Sequence, residues 1–253
     1  MKIGLFGFGR AGRAVASVLL LNKDVQLSWV IRKSKILQHR SVPEFLGVES
    51  EEPGLIFTKD ELPISQLLND HPVDVIIDFS GEDGITYYGL EAAKRKVAIV
   101  SAISEYSNEK IDLLKKISLK TKVLWSPNIT IGVNFLMVAA KVLKNIAPFA
   151  DVEILEEHFK LKKETSGTAK KIARELSIEV ESIKTIRAGG IVGRHEIIFG
   201  FPFQTVRLVH ESIAREAFGN GALFAALNLV GKSDGLYTME DLMKPYFKNF
   251  DQL

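Results

Sequence analysis

Residues 1–21, MKIGLFGFGRAGRAVASVLLL, decide the fold. Residues 1–6 are a short apolar run of strand length. Gly7, Phe8, Gly9, Arg10, Ala11 and Gly12 then follow the spacing G-x-G-x-x-G, and residues 13–21 carry apolar side chains at helical intervals. A strand, a glycine-rich turn and a helix in that order open a dinucleotide-binding unit. Gly7 permits the tight turn, Gly9 lets the backbone approach a pyrophosphate, and Gly12 lets helix and strand pack closely. The second strand, residues 25–31, ends at Arg32, Lys33, Ser34 and Lys35. A carboxylate at this end pairs with the ribose 2′-hydroxyl of NAD, whereas arginine accommodates a 2′-phosphate. Three cations and no carboxylate point to NADPH, with NADH as the alternative.

Working outward, the alternation of strand and helix continues. Residues 38–60 are broken by Pro43, Gly47 and Pro53 and read as loops with one short strand. A helix over 61–69 precedes a buried parallel strand, residues 74–80, which ends in the polar corner Asp78-Phe79-Ser80. Helix 84–95, strand 97–100, helix 108–118 and strand 122–125 follow. Short connections between alternating elements predict an α/β fold with a Rossmann-type doubly wound parallel sheet. Ser126 to Asn134 form a loop leading into an apolar helix over 135–143. The first boundary falls near Ile129.

Beyond Asp151 the alternation stops. A helix over 167–176 precedes strand-like runs at 182–188, 195–201 and 205–210. They predict a second α+β domain, an open, mixed and mostly antiparallel sheet with one helix on a face. The other face needs a cover, which suggests a homo-oligomer. The segment 211–230 reads as an alanine-rich helix able to return to the first domain.

The chemistry concentrates in residues 156–169, EEHFKLKKETSGTA. Val152, Ile154 and His158 belong to an alternating strand. Lys160, Lys162 and Lys163 follow, and Ser166, Gly167 and Thr168 open a helix. Its N-terminus offers unpaired N–H groups and a positive dipole end, which suit a carboxylate. The flanking cations should depress the pKa of His158 by disfavouring its charged form. Glu156, Glu157 and Glu164 are read as solvated or lysine-paired. His195 and His210 are read as sheet or pocket-wall residues, and His39 and His71 as surface residues.

The 253 residues are 46% hydrophobic and 25% charged, with a net charge of +2. This balance gives no reason to expect a nucleic-acid or membrane partner. Cysteine is absent, so disulfides, thiolate catalysis and cysteine-ligated metal are excluded. No two histidines have metal-ligand spacing, and no metal is expected. No apolar run reaches transmembrane length and no signal peptide is read, so a cytoplasmic protein is expected.

These residues together resemble the 4-hydroxy-tetrahydrodipicolinate reductase (dihydrodipicolinate reductase) family of lysine and diaminopimelate biosynthesis. The resemblance runs through Glu156-Glu157-His158 with Lys162, then Ser166-Gly167-Thr168-Ala169, and Arg187-Ala188-Gly189 with Gly193 and His195. It continues through His210, Arg215, Phe218, Gly221-Ala222 and Gly235 to Met239, and includes Asp78-Phe79-Ser80 and Pro127-Asn128. It implies a dinucleotide-binding domain of residues 1–129 and 220–253, and a substrate-binding and oligomerisation domain of residues 130–219 that forms a homotetramer. It implies a small cyclic dicarboxylate substrate. His158 then corresponds to the catalytic proton donor/acceptor, Lys162 to the second proton donor, and Ser166, Gly167 and Thr168 to the carboxylate site. Cofactor contacts are implied for the glycine-rich turn, Arg32, Phe79, Ser101, Ala102, Ile103, Ser126, Pro127, Asn128 and Ile129. The chain departs from the family pattern at Phe159, which replaces a second histidine. It departs again at Ser101-Ala102-Ile103-Ser104, which replace a G-T-T-G. Rival readings are a relative acting on another imine or amino acid, and a non-catalytic nucleotide sensor.

Overall fold

The computed structural model describes residues 1–51 and 54–248; Pro53 and residues 249–253 of the segment 220–253 lie outside them. The chain divides into two compact units, Met1–Thr130 with Phe218–Leu253, and Ile131–Ala217. In the first, β1 (Lys2–Phe6), α1 (Arg10–Leu20), β2 (Gln26–Arg32), α2 (Val42–Leu46), β3 (Leu55–Thr58), α3 (Ile64–Asp70), β4 (Val75–Asp78), α4 (Gly84–Lys94), β5 (Ala98–Ser101), α5 (Asn108–Ser118) and β6 (Lys122–Trp125) alternate. The second holds α6 (Ile131–Ile146), β7 (Asp151–His158), α7 (Gly167–Glu175), β8 (Lys184–Arg187), β9 (Gly193–Phe201) and β10 (Gln204–Ser212). From Phe218 onward α8 (Glu216–Leu229), then β11 (Gly235–Tyr237) and α9 (Met239–Lys248), return to the first unit.

The first sheet has the order β11-β6-β5-β4-β1-β2-β3, parallel at every pairing. The chain builds outward from β1 through β2 and β3, then restarts on the other side at β4. This switch point puts the turn after β1 beside the corner after β4, where doubly wound sheets bind ligands. Helices cover both faces, so β4 and β5 are buried along their whole length. One core joins Leu5, Val15 and Leu19 to Ala225 and Leu242; the other joins Ile76, Ile99, Tyr88 and Leu114. Small residues bring α8 in closely: a Cβ on Gly221 would lie 1.9 Å from the Ile129 carbonyl oxygen.

The structure departs from the sequence pattern most clearly at three places in this unit, besides the later start of α3 at Ile64. First, α1 begins at Arg10, three residues before position 13, because Gly9 serves as its N-cap and the second half of the turn is already helical. Second, Pro43 and Gly47 bound a helix rather than break one. Ser41 caps α2 by accepting from Glu44 N, Pro43 fits the first turn, where no amide hydrogen bond is lost, and Gly47 ends the helix at φ +66°. Third, β11 adds a strand to the edge of β6 that the pattern does not announce.

The second sheet has the order β10-β9-β7-β8, antiparallel except for the β7–β8 pair. Two helices, not one, cover its inner face. Val133, Leu136 and Ala140 of α6 and Ala169, Ile172 and Ala173 of α7 pack on Ile154, Ile197 and Phe199. Its outer face is a charge ladder as well as an apolar surface. Glu157 pairs with Arg194, Arg194 with Glu196 at 2.7 Å, and Glu196 with Arg207 at 2.5 Å. The strand run expected to end at 210 extends to Ser212, so residues 211–212 are strand and the helix starts at Glu216.

Candidate active site

Strand alternation places Ile154, Glu156 and His158 of β7 on the helix-covered face and Glu157 on the other. Glu156 stands directly opposite His195 on β9, and His158 opposite Arg187 on β8. Glu156 is completely buried. Both of its oxygens accept from Ser166 N at 3.1 Å, and Oε1 also accepts from Arg187 Nη2 at 2.6 Å. Its Oε2 lies 3.5 Å from His158 Nδ1 and 3.8 Å from His195 Nε2. The same Arg187 donates from Nε to the Lys162 carbonyl and from Nη2 to the Glu164 carbonyl, each at 3.0 Å. One guanidinium thus ties the lysine loop to the buried carboxylate.

Ser166 caps α7: its Oγ accepts from Ala169 N at 3.0 Å and lies 3.1 Å from His195 Nε2. Gly167 is exposed in the first turn and Thr168 is half-buried. Lys162 is half-buried while Lys160 and Lys163 are exposed, which separates it from its neighbours. Phe159, at 44% exposure, turns outward. Burial lowers the pKa of His158; Glu156 pulls it back up, and Lys162 and Arg187 push it further down. The direction expected from the sequence holds, with burial ahead of the cations as its cause. His195 is lowered to about 4, first by burial and then by His158. Burial pushes the Glu156 carboxyl up, but the hydrogen bonds from Ser166 and Arg187 outweigh it and hold the group below its ordinary value.

Glu156, assigned from the sequence to solvent or lysine, is therefore a buried, arginine-paired residue at the centre of the cluster. The alternation that places Ile154 and His158 inward also applies to Glu156 between them. Glu156, His158 and His195 offer ligand-type atoms within 4.8 Å of one another, a grouping that linear spacing does not reveal. Arg187 and the Ser166 amide already hold the carboxylate, so the cluster is charge-balanced without an ion.

In the first unit a cavity of about 620 Å³ lies over the turn after β1. It is lined by Gly7, Phe8 and Gly9, by Arg32, Lys33 and Ser34 at the end of β2, by Lys59 and Asp60 after β3, and by Phe79 to Gly84. Gly7 has φ +99°, and a Cβ there would lie 2.6 Å from the Phe79 carbonyl. Gly12 faces the Gly7 carbonyl, 2.1 Å from its would-be Cβ, whereas Gly9 faces open space. These contacts match the turn, packing and close-approach duties of a dinucleotide fingerprint. A second cavity of about 690 Å³ shares Phe79 and Ser80 and adds Ala11, Ala102 and Ile103. Arg10 is exposed and lines neither cavity. Ser101 is buried and bonded to Tyr106 Oη at 2.8 Å. Ser126 bonds the Asn128 carbonyl at 2.5 Å, Ile129 is in the core and Pro127 is exposed; none of these four lines either cavity.

A family model described as "Dihydrodipicolinate reductase, N-terminus" matches residues 1–129, and one described as "Dihydrodipicolinate reductase, C-terminus" matches residues 129–243. The chain belongs to the dihydrodipicolinate reductase family. It is 35% identical over 193 residues to the 4-hydroxy-tetrahydrodipicolinate reductase of Caldanaerobacter subterraneus subsp. tengcongensis, covering 68% of this chain and 77% of that one. It is 31% identical to the same enzyme of Aquifex aeolicus, over 93% of this chain and 95% of that one. Among solved structures it resembles a dipicolinate-bound dihydrodipicolinate reductase from Paenisporosarcina sp. TG-14. That match has a TM-score of 0.75 and 20% identity, over 94% of this chain and 97% of that one. An amine dehydrogenase from Mycobacterium smegmatis shares the fold more loosely, with a TM-score of 0.63 and 12% identity over 95% of each chain. No described helix of this reductase-family chain is long and apolar enough to cross a membrane.

Proposed function

We propose that the chain reduces 4-hydroxy-tetrahydrodipicolinate to tetrahydrodipicolinate with NADPH, the 4-hydroxyl leaving as water, in lysine and diaminopimelate biosynthesis. The observation that carries this reading is His158, buried between Glu156 and the Lys162 loop and beside the capped start of α7, in a chain matching both halves of the family. The bound nicotinamide supplies a hydride. The remaining work falls to side chains of the second unit. Ser166, Gly167 and Thr168 receive a substrate carboxylate at the α7 N-terminus, where amide donors and the dipole favour an anion. His158, kept neutral by burial, gains a proton as the dicarboxylate brings negative charge, and passes it to the substrate. Lys162 provides the second proton.

Arg32 and Lys33, which carry the end of β2 into the lining of the first cavity, support NADPH over NADH. The glycine-rich turn, Phe79, Ala102 and Ile103 line the cofactor's path; Ser101, Ser126, Pro127, Asn128 and Ile129 support its walls. The dinucleotide-binding domain is residues 1–129 with 220–253, and residues 130–219 bind substrate. The outer sheet face of that domain forms a homotetramer in the cytoplasm. The test is NADPH oxidation by the purified protein, with substrate generated in situ by a coupled synthase. Substrate-dependent loss of NADPH absorbance is expected. Cofactor binding without turnover overturns the reading and favours a nucleotide sensor or a relative with another substrate.

A further inference from the structure

The polar cluster contains residues that the proposed chemistry does not use, Glu156, Arg187 and His195 among them. We propose that Glu156 and Arg187 are positioning residues: Glu156 orients the His158 ring and fixes which nitrogen carries its proton, and Arg187 folds the 159–165 loop into a preformed anion site. This rests on the proposed reductase reading for the roles of His158 and Ser166.

For Glu156 the geometry is forced. A buried carboxylate with an Arg187 partner at 2.6 Å and two amide contacts stays ionised and fixed. Its Oε2 lies 3.5 Å from His158 Nδ1, a buried nitrogen that has no hydrogen-bond partner among the described residues, so this carboxylate acts on it across an ion-pair distance. A carboxylate accepts only, so the proton of a neutral His158 belongs on Nδ1 and Nε2 is left to exchange protons. Gly193 keeps that nitrogen accessible, since a Cβ there would come within 3.1 Å of Nε2. The charged groups acting on His158 are Glu156 on its own strand, Lys162 from the loop and Arg187 from β8; the His195 ring of β9 packs edge-on at 5.3 Å. Glu156 is the single anion among them.

For Arg187 the deciding property is reach. Its fork holds the Lys162 and Glu164 carbonyls and, through Glu156, the Ser166 amide. Three points of one loop are fixed by a single side chain, which lysine's point charge cannot reproduce.

The test uses the full-length protein and needs no turnover for its first arm. Histidine ring resonances are titrated by NMR in the wild type, Glu156→Gln and Glu157→Gln, with His158 assigned from His158→Gln. Glutamine keeps the shape but removes the charge. The His158 midpoint is expected to fall by about one pH unit in Glu156→Gln, as for loss of a neighbouring opposite charge. It should stay in place in Glu157→Gln, whose carboxylate pairs with Arg194 on the other face. Glu156→Asp, which keeps the charge, restores it. The second arm measures binding of pyridine-2,6-dicarboxylate to Arg187→Lys, which is expected to weaken about tenfold while the His158 midpoint holds, as for removal of one charge-assisted hydrogen bond. An unmoved midpoint in Glu156→Gln overturns the role of Glu156, and unchanged dicarboxylate binding in Arg187→Lys overturns that of Arg187. Absence of dicarboxylate binding by the wild type refutes the reductase reading instead, and leaves the titration to decide on Glu156.

Discussion

Replacing Asp78 by asparagine should change how the first unit's stability depends on pH. Asp78 ends β4 with no exposed surface. It accepts from Ser80 N at 2.8 Å, Ser80 Oγ at 2.6 Å and Tyr88 Oη at 2.7 Å. No cation pairs with it among the described residues, and burial pushes its carboxyl up from the ordinary 3.8 to about 6, against those hydrogen bonds. The folded state therefore binds this proton more tightly than the unfolded chain. Stability from the group is complete below pH 3.8 and is lost as pH rises through about 6. At about 1.4 kcal/mol per tenfold change in proton affinity, the loss is about 3 kcal/mol. The asparagine side chain of Asp78→Asn cannot ionise and escapes it. Its amide keeps an oxygen for Ser80 but turns an NH₂ toward Tyr88, whose hydroxyl is then left without its acceptor at a cost of about 1–3 kcal/mol. The variant should therefore be the less stable protein near pH 4, and gain on the wild type by about 3 kcal/mol on going to pH 8. Urea unfolding followed by tryptophan fluorescence measures this, because Trp29 and Trp125, the only tryptophans, both lie in the first unit. A difference between variant and wild type that is flat from pH 4 to pH 8 would refute the reasoning.

Three further outcomes are expected. Gly7→Ala places a side chain where φ is +99° and the Phe79 carbonyl is 2.6 Å away, so it should cost about 1–3 kcal/mol by thermal unfolding and abolish NADPH binding measured by fluorescence. Lys162→Ala should lower kcat about a hundredfold, and exposed Lys163→Ala less than threefold; equal losses would deny Lys162 a proton-transfer role. Arg32→Ala should raise the KM for NADPH about tenfold and leave that for NADH unchanged, as for removal of one charge-assisted hydrogen bond to a 2′-phosphate.

The parallel sheet is legible in the sequence because its signals are local. A buried strand between two turns needs only consecutive apolar residues, and helix 108–118 and strand 122–125 have in the structure the bounds read from sequence. Residues 42–47 mislead because proline and glycine mark helix ends as well as loops, and only the cap at Ser41 distinguishes the two. The three-residue β11 has no pattern of its own; the exposed edge of β6 makes it a strand. In the site, His158, Lys162 and Ser166 stand out as types near one another in sequence. Arg187 and His195 do not, because their roles arise from the β7–β8 and β7–β9 registers. Glu156 is within reach of strand parity, but the commoner fate of carboxylates, solvation, points the other way.

The return of α8, β11 and α9 to the first unit sets an order of events during synthesis. The Rossmann-type sheet begins at Lys2, yet its edge strand β11 and the helix resting on Ile129 come after residue 215. The second unit is one continuous segment, Ile131–Ala217, and all its strand pairings are available before that tail leaves the ribosome. Domains fold as units while the chain is made, so the later-starting unit is the first that can finish. Until then the first unit has Ile3, Leu5 and Val15 waiting for Ala222, Ala225 and Leu229. A stop codon between residues 217 and 222 would release a chain with a completed second unit and an uncovered nucleotide-binding core.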